Sequence, residues 1–281
     1  MSSDLQTISA VKCFGGQQFI YSHYSETLKC TSKFSLYCPP QASESNKVPV
    51  IYFLSGLTSS VKELIQQSGF QKYAAQHGIC VVGPDTFPRD ALPISPPITR
   101  AQMAAMYVDA ETPGWSDHYK MYSYVTVELI KTIEEKFNFV QKDNRSVMGH
   151  SMGGHGALIC SLRNPGLYKC CSAFAPLYNL EGAAEFMVNL IQAENVKDWD
   201  ATKLIRNYKG PSLNIRIDQG AEDYILGMFS PDRFLSAALE SKTTVSFNLI
   251  EGYDHGWFFI KTFIEDNFNH HAKFLKSSNN H

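Results

Sequence analysis

Two kinds of apolar run punctuate the chain, and their spacing predicts its elements. Phe19–His23 and Lys33–Cys38 alternate, as an antiparallel strand pair does, with Ser25-Glu26-Thr27 near the turn. Val50–Leu54 and Ile79–Val82 are continuous instead, the mark of strands buried on both faces. Between them Ser60 and Glu63 are spaced as a capping box, which predicts a helix running to about His77. Tyr122–Phe137 places Val125, Leu129, Ile133 and Phe137 on one helical stripe. An apolar strand ending near Met148 then precedes a helix over about Met152–Leu162. Ser172–Phe174, Leu213–Asp218 and Val245–Leu249 read as further strands, with a helix over Pro231–Glu240. Trp257–Leu275 closes the chain as a helix whose stripe includes Phe259, Phe263 and Phe274. Strands alternating with helices predict an α/β fold, a mostly parallel central sheet with helices on both faces. One domain over residues 1–281 is expected, with 180–208 a partly irregular, cap-like insertion over the sheet.

The segment Pro84–Gly114 resists this reading. It carries Pro88, Pro93, Pro96, Pro97 and Pro113. So long an irregular loop in a compact domain is usually functional, and here it is a candidate wall, or moving lid, of a substrate pocket.

Composition narrows the classes. Of 281 residues, 44% are hydrophobic and 19% charged, enough for a core and no case for disorder. A net charge of −2 gives no electrostatic reason to expect nucleic acid or an anionic membrane as partner. Met1–Val11 lacks the apolar core of a signal peptide, and no apolar run reaches membrane-spanning length. Seven cysteines without a C-x-x-C pair point to reduced packing thiols in a cytoplasmic protein, not to a disulfide framework or a zinc site. No metal is expected. The sequon at Asn144-Arg145-Ser146 is read as coincidence.

The chemistry gathers around Val147-Met148-Gly149-His150-Ser151-Met152-Gly153-Gly154. This G-x-S-x-G lies between an apolar run and a small-residue helix start, the setting of a nucleophile elbow. Gly149 and Gly153 supply room where strand and helix approach, and Ser151 would sit at a helix N-terminus that favours negative charge. A serine needs a base, and the base needs an orienting acid. In the α/β-hydrolase order the acid comes next and the histidine last. His255 lies in a turn directly after the last strand, which suits the base. Asp218, Glu222 and Asp223 are all eligible as the acid, and spacing does not choose among them; Asp254 would point away. His150 and His155 are too near Ser151 in sequence and read as packing or polar support. His23, His77 and His118 read as structural or solvated, and His270, His271 and His281 as an exposed tail. For the oxyanion hole the backbone N–H groups of Met152 and of Leu57 are expected, with Thr58 next in line.

With these segments in hand, the chain resembles the S-formylglutathione hydrolase (esterase D) family. The resemblance rests on Lys12–Gly16, Leu54-Ser55-Gly56-Leu57-Thr58, Pro84-Asp85-Thr86, Tyr107–Ala110, Met121–Thr126, Gly149–Ile159, Ser172–Pro176, Ile217–Gly220 and Glu251–His255, in family order over nearly the whole chain. It implies an α/β-hydrolase fold, a cytosolic and often homodimeric enzyme without cofactor, and a triad of Ser151, Asp223 and His255. Three stretches depart from the family pattern. Ser59 stands where the family usually has cysteine, Pro96–Tyr107 keeps only the tyrosine end of an aromatic and glycine-rich stretch, and Leu180–Phe186 replaces a Cys-Pro-Trp-Gly segment. These stretches should border the substrate, so Ser59, Tyr107 and Trp257 are the expected contacts. The expected activity is hydrolysis of a small thioester, S-formylglutathione first. The alternatives are a carboxylesterase of shifted specificity, or a binding or scaffold protein with vestigial activity.

Overall fold

The computed structural model describes residues 5–91, 99–187 and 189–277. Pro93, Pro96, Pro97 and His281, named above, lie outside these described residues. Nine strands form one sheet, in the order β1-β2-β3-β5-β4-β6-β7-β8-β9. They are β1 (Gln6–Cys13), β2 (Gly16–Ser25), β3 (Cys30–Cys38), β4 (Val48–Leu54), β5 (Cys80–Pro84), β6 (Val140–His150), β7 (Cys170–Phe174), β8 (Asn214–Gly220) and β9 (Thr244–Ile250). The strands from β5 to β9 run parallel to one another, and β1, β2 and β3 add an antiparallel ribbon along the β5 edge. The expected mostly parallel sheet is therefore present. β1 was absent from the sequence reading, because a polar strand with little buried surface leaves no apolar alternation to detect.

The continuous run of β4 does face both ways. Val50, Tyr52 and Leu54 pack into one core, Ile51 and Phe53 into the other. The second core lies under α1 (Val61–Gln67), α2 (Phe70–His77) and α7 (Trp257–Lys276). The first is covered by α3 (Leu129–Lys136), α4 (Met152–Arg163), α5 (Ala201–Arg206) and α6 (Pro231–Ser241).

Two expected helices are interrupted. The capping box forms, Ser60 Oγ accepting from Lys62 N at 3.2 Å and Glu63 Oε2 from Ser60 N at 2.8 Å. The helix then breaks between α1 and α2 at Ser68-Gly69, where Gly69 takes a φ of +72°. The 122–137 stripe contains a wide π turn at Tyr124–Glu128 ahead of α3. From that turn Glu128 caps the β2–β3 hairpin, accepting from Ser25 Oγ at 2.8 Å and Thr27 N at 2.9 Å.

The stretch 180–208 is a string of short turns, Glu181–Ala183, Ala184–Met187 and Ala193–Trp199, leading into α5. Trp199 lies edge-on to Tyr122 and under the Arg163 guanidinium, which seats the stretch against α4. Leu190 O accepts Glu111 N at 2.7 Å, and Glu111 Oε2 accepts Asn195 Nδ2 at 2.9 Å. The end of the 84–114 segment and the 180–208 stretch are thus joined to each other.

Candidate active site

β6 delivers Ser151. The chain turns at Ser151 with φ +57° and ψ −120°, a conformation an L-residue adopts only when its surroundings impose it. Those surroundings are crowded backbone. A Cβ on Gly149 would overlap the carbonyl of Gly153, and one on Gly153 the carbonyl of Leu54. Ser151 N donates to Phe174 O at 2.9 Å, which ties the turn to the end of β7.

The loops after β8 and β9 bring the partners. Ala221 N donates to Ile250 O and Glu222 N to Tyr253 O, both at 2.9 Å, so the two loops lie side by side. His255 Nε2 then stands 2.8 Å from Ser151 Oγ, and its Nδ1 stands 2.7 Å from Asp223 Oδ2. An ionised carboxylate can only accept, so Nδ1 carries the proton and Nε2 offers its lone pair to the serine hydroxyl. Burial pushes the Asp223 carboxyl upward. The hydrogen bond and charge of His255, with the Ile225 N–H (2.9 Å) and the Gln219 amide (2.9 Å), outweigh it and hold the group below its ordinary value. Gln219 is itself fixed by the Tyr178 hydroxyl, which donates to its Oε1 at 3.0 Å.

The remaining acids are elsewhere. Asp218 is buried under α7, where it accepts from Arg216 Nε at 2.8 Å, Asn248 Nδ2 at 2.7 Å and Asn267 Nδ2 at 2.7 Å. Glu222 and Asp254 are exposed, and Asp254 Oδ1 only receives Gly256 N at 2.9 Å.

The loop after β4 lies against the nucleophile. A Cβ on Gly56 would stand 3.2 Å from both Ser151 Cβ and His150 Nδ1. Ser59 is buried, and its carbonyl accepts from Thr86 Oγ1 at 2.7 Å and Arg89 Nη2 at 3.3 Å. Tyr107 is not brought to the site surface. It is fully buried behind the elbow, its ring against Gly156 and its hydroxyl donating to Ser55 O at 3.0 Å. Trp257 packs 5.7 Å from the His150 ring.

His150, expected as packing or polar support, and Tyr224, Gln219 and Tyr178, to which the sequence reading gave no role, complete the site. His150 is buried with its Nε2 2.8 Å from the His255 carbonyl, and burial first, then the neighbouring His255, lowers it to about 3. It is therefore neutral, and Nε2–H is the donor. Tyr224 is 80% exposed with its ring 5.5 Å from that of His255. Gln219 carried a signal only as part of the quoted Ile217–Gly220 motif and Tyr178 carried none, since a neutral side chain behind an acid has no spacing rule of its own. His270 and His271 are a correction. They lie on α7 and not in an exposed tail, and His271 is fully buried between Ser146 Oγ (2.7 Å) and Ser172 Oγ (2.8 Å). Among the described residues, no group of three or more His, Cys, Asp or Glu side chains is placed to hold a metal ion. No helix among them is long and apolar enough to cross a membrane.

Comparison with known proteins gives this geometry its setting. Residues 25–269 match the family described as "Putative esterase". The chain is 45% identical to an S-formylglutathione hydrolase of Bos taurus over 97% of this chain and 99% of that one. It is 41% identical to one of Arabidopsis thaliana over 98% and 100%. The solved structure of an S-formylglutathione hydrolase from Agrobacterium tumefaciens superposes with a TM-score of 0.89 at 34% identity, covering 96% of this chain and 99% of that one. The chain belongs to the S-formylglutathione hydrolase family of esterases, and it is an α/β-hydrolase enzyme of the serine-hydrolase type.

Proposed function

We propose that this enzyme hydrolyses S-formylglutathione to glutathione and formate, with Ser151 as nucleophile, His255 as base and Asp223 as orienting acid. The observation that carries the reading is the unbroken relay Ser151 Oγ, His255 Nε2, His255 Nδ1, Asp223 Oδ2, with steps of 2.8 and 2.7 Å. His255 takes the Ser151 proton as Oγ attacks the formyl carbon. The N–H groups of Leu57 and Met152 donate to the developing oxyanion, each contributing on the order of 3 kcal/mol. The C–S bond breaks as His255 returns the proton to the leaving sulfur. A water then loses its proton to His255, attacks the formyl ester and releases formate. Asp223 keeps the proton on Nδ1 throughout.

Ser59 and Trp257 border the pocket in this reading, and Tyr107 acts from behind by holding the Ser55 carbonyl. The rest of the wall comes from the described parts of the 84–114 and 180–208 stretches, both within a single catalytic domain. No cofactor takes part. The enzyme works in the cytoplasm as a homodimer. Edge strand β1 offers a surface for pairing, with Ile8 and Val11 55% and 56% exposed.

The test is kcat/KM for S-formylglutathione beside p-nitrophenyl acetate, with Ser151→Ala as the blank. The formyl thioester is expected to be preferred by orders of magnitude, and Ser151→Ala to lower both by about 10⁴-fold or more. Hydrolysis of the activated acetate alone would reassign the same machinery to another ester. A Ser151→Ala protein near full turnover would remove the assignment. Sedimentation of the wild type beside Val11→Glu tests the dimer.

A further inference from the structure

Cys38 ends β3 and Cys80 begins β5. The antiparallel register between these strands pairs Phe34 with Pro84, Ser35 with Gly83, Leu36 with Val82 and Tyr37 with Val81. The next rung sets Cys38 directly opposite Cys80. Both side chains lie on the sheet face that carries Leu36 and Val82. Residues opposite one another in an antiparallel pair have Cα atoms about 4.5 or 5.5 Å apart. Both spacings fall inside the roughly 4.4–6.8 Å that a disulfide spans.

The two thiols differ in access. Cys80 is buried, while Cys38 is half-buried and open to a small reagent. The hydrogen bond from Cys80 lowers the Cys38 thiol from its ordinary value, while burial pushes the Cys80 thiol well up. One sulfur is thus disposed to react first, and the register sets the other opposite it on the same face of the sheet. Cys13, also half-buried, packs on the opposite face of the sheet. Cys30 lies at the far end of β3.

We propose that Cys38 and Cys80 form an oxidation site, a dithiol that a hydroperoxide converts into a cross-strand disulfide. The Cys38 thiolate attacks the peroxide O–O bond, giving a sulfenic acid on Cys38 and releasing water once the departing oxygen is protonated. The Cys80 sulfur then attacks the Cys38 sulfur. The S–S bond forms, the S–O bond breaks, and the oxygen leaves as a second water carrying the Cys80 proton. Two thiols are oxidised by two electrons, and hydrogen peroxide is reduced to two waters.

The position of the pair separates this chemistry from hydrolysis. Val50 of β4 aligns with both Cys80 and Arg145, and Arg145 lies six residues before Ser151 on β6. The pair therefore sits about 20 Å from the nucleophile along the strands, at the opposite end of the sheet. The cross-link joins the antiparallel ribbon to the parallel half of the sheet and leaves the triad undisturbed.

The experiment treats the intact protein with hydrogen peroxide and follows mass, stability and activity together. Expected are the loss of two hydrogens in intact mass, a Cys38–Cys80 linked peptide on non-reducing digestion, and a Tm higher by roughly 5 °C. Dithiothreitol should reverse all three, and kcat/KM toward p-nitrophenyl acetate should stay within twofold. Cys38→Ser, at a half-buried position that tolerates the change, should lose the link and the Tm rise; Cys80→Ala is the second variant. Oxygen added to Cys38 without a link, a link to any other cysteine, or the same mass loss in Cys38→Ser would overturn the proposal.

Discussion

Two clusters of serine, histidine and carboxylate or amide lie on either side of the same strands. At the carboxyl edge, Ser151, His255, Asp223 and Gln219 form one. Beneath α7, His271 sits between Ser146 and Ser172, and the Asp218 carboxylate is held by Arg216, Asn248 and Asn267. The hydrogen bonds are equally short in both. The difference is in what is left over. Both ring nitrogens of His271 face serines inside a fully buried site, so no proton can go anywhere new. His255 has one nitrogen on an acid and the other on a half-buried serine held at positive φ. A serine–histidine contact becomes a catalytic device only where the serine is strained outward and a reactant can reach it.

The most direct way to break this comparison is to treat the two acids alike. Asp223→Asn should lower kcat by about 10⁴-fold with the fold intact, because the amide selects the wrong tautomer of His255. Asp218→Asn should leave kcat per folded molecule near wild type but cost about 3 kcal/mol in denaturant unfolding, since it leaves the largely buried Arg216 guanidinium without its carboxylate. Equal kinetic losses in the two variants would mean that the lower cluster also serves the reaction. A smaller effect is expected at the oxyanion loop. Gly56→Ala places a methyl group against Ser151 and His150 and should reduce kcat about 10²-fold with KM little changed. A purely KM effect would show that the loop binds substrate rather than the oxyanion.

The two clusters share one liability, acid. Burial lowers His150 to about 3, His155 to about 4 and His270 to about 4, and holds His271 well below its ordinary value. The unfolded chain binds these protons near pH 6.5, while the folded chain does not. Stability is therefore full above that pH and falls as pH drops from 6.5 toward 4. Each fully buried histidine contributes up to about 1.4 kcal/mol per pH unit inside that window. Tm measured from pH 7 to pH 4.5 should fall steadily; a flat profile would mean that these histidines are protonated in the native state. The smallest effect is expected from Tyr224→Ala. The exposed ring touches His255 by its edge, so its loss should change KM severalfold for substrates with a bulky leaving group and leave kcat for p-nitrophenyl acetate unchanged.

Most of the parallel half of the fold was legible because strands such as β4 and β5 are short apolar runs and the longer helices carry an apolar stripe. The elbow was legible because close strand–helix packing demands glycine at fixed positions around one serine. Less was legible where burial is bought by polar side chains. His270 and His271 read as tail because nothing in Asn269-His270-His271 announces that Ser146 and Ser172 wait on distant strands. Tyr107 read as a pocket residue because its motif is adjacent to the altered loop, yet the fold turns its side chain inward onto Ser55 O.

The sequence by itself determined the order of strands and helices, the strained turn at Ser151, and the histidine placed after the last strand, since each depends on residues near one another in the chain. Choosing Asp223 over Asp218 and Glu222 from spacing alone was beyond it. Three acids within six positions differ only in which way the end of β8 rotates them, and that rotation is fixed by contacts far away: Ile250 and Tyr253 receiving the loop, Asn248 and Asn267 claiming Asp218, Gln219 and Tyr178 bracing Asp223. A carboxylate's role is set by which partners surround it, and those partners become neighbours only when the sheet is assembled.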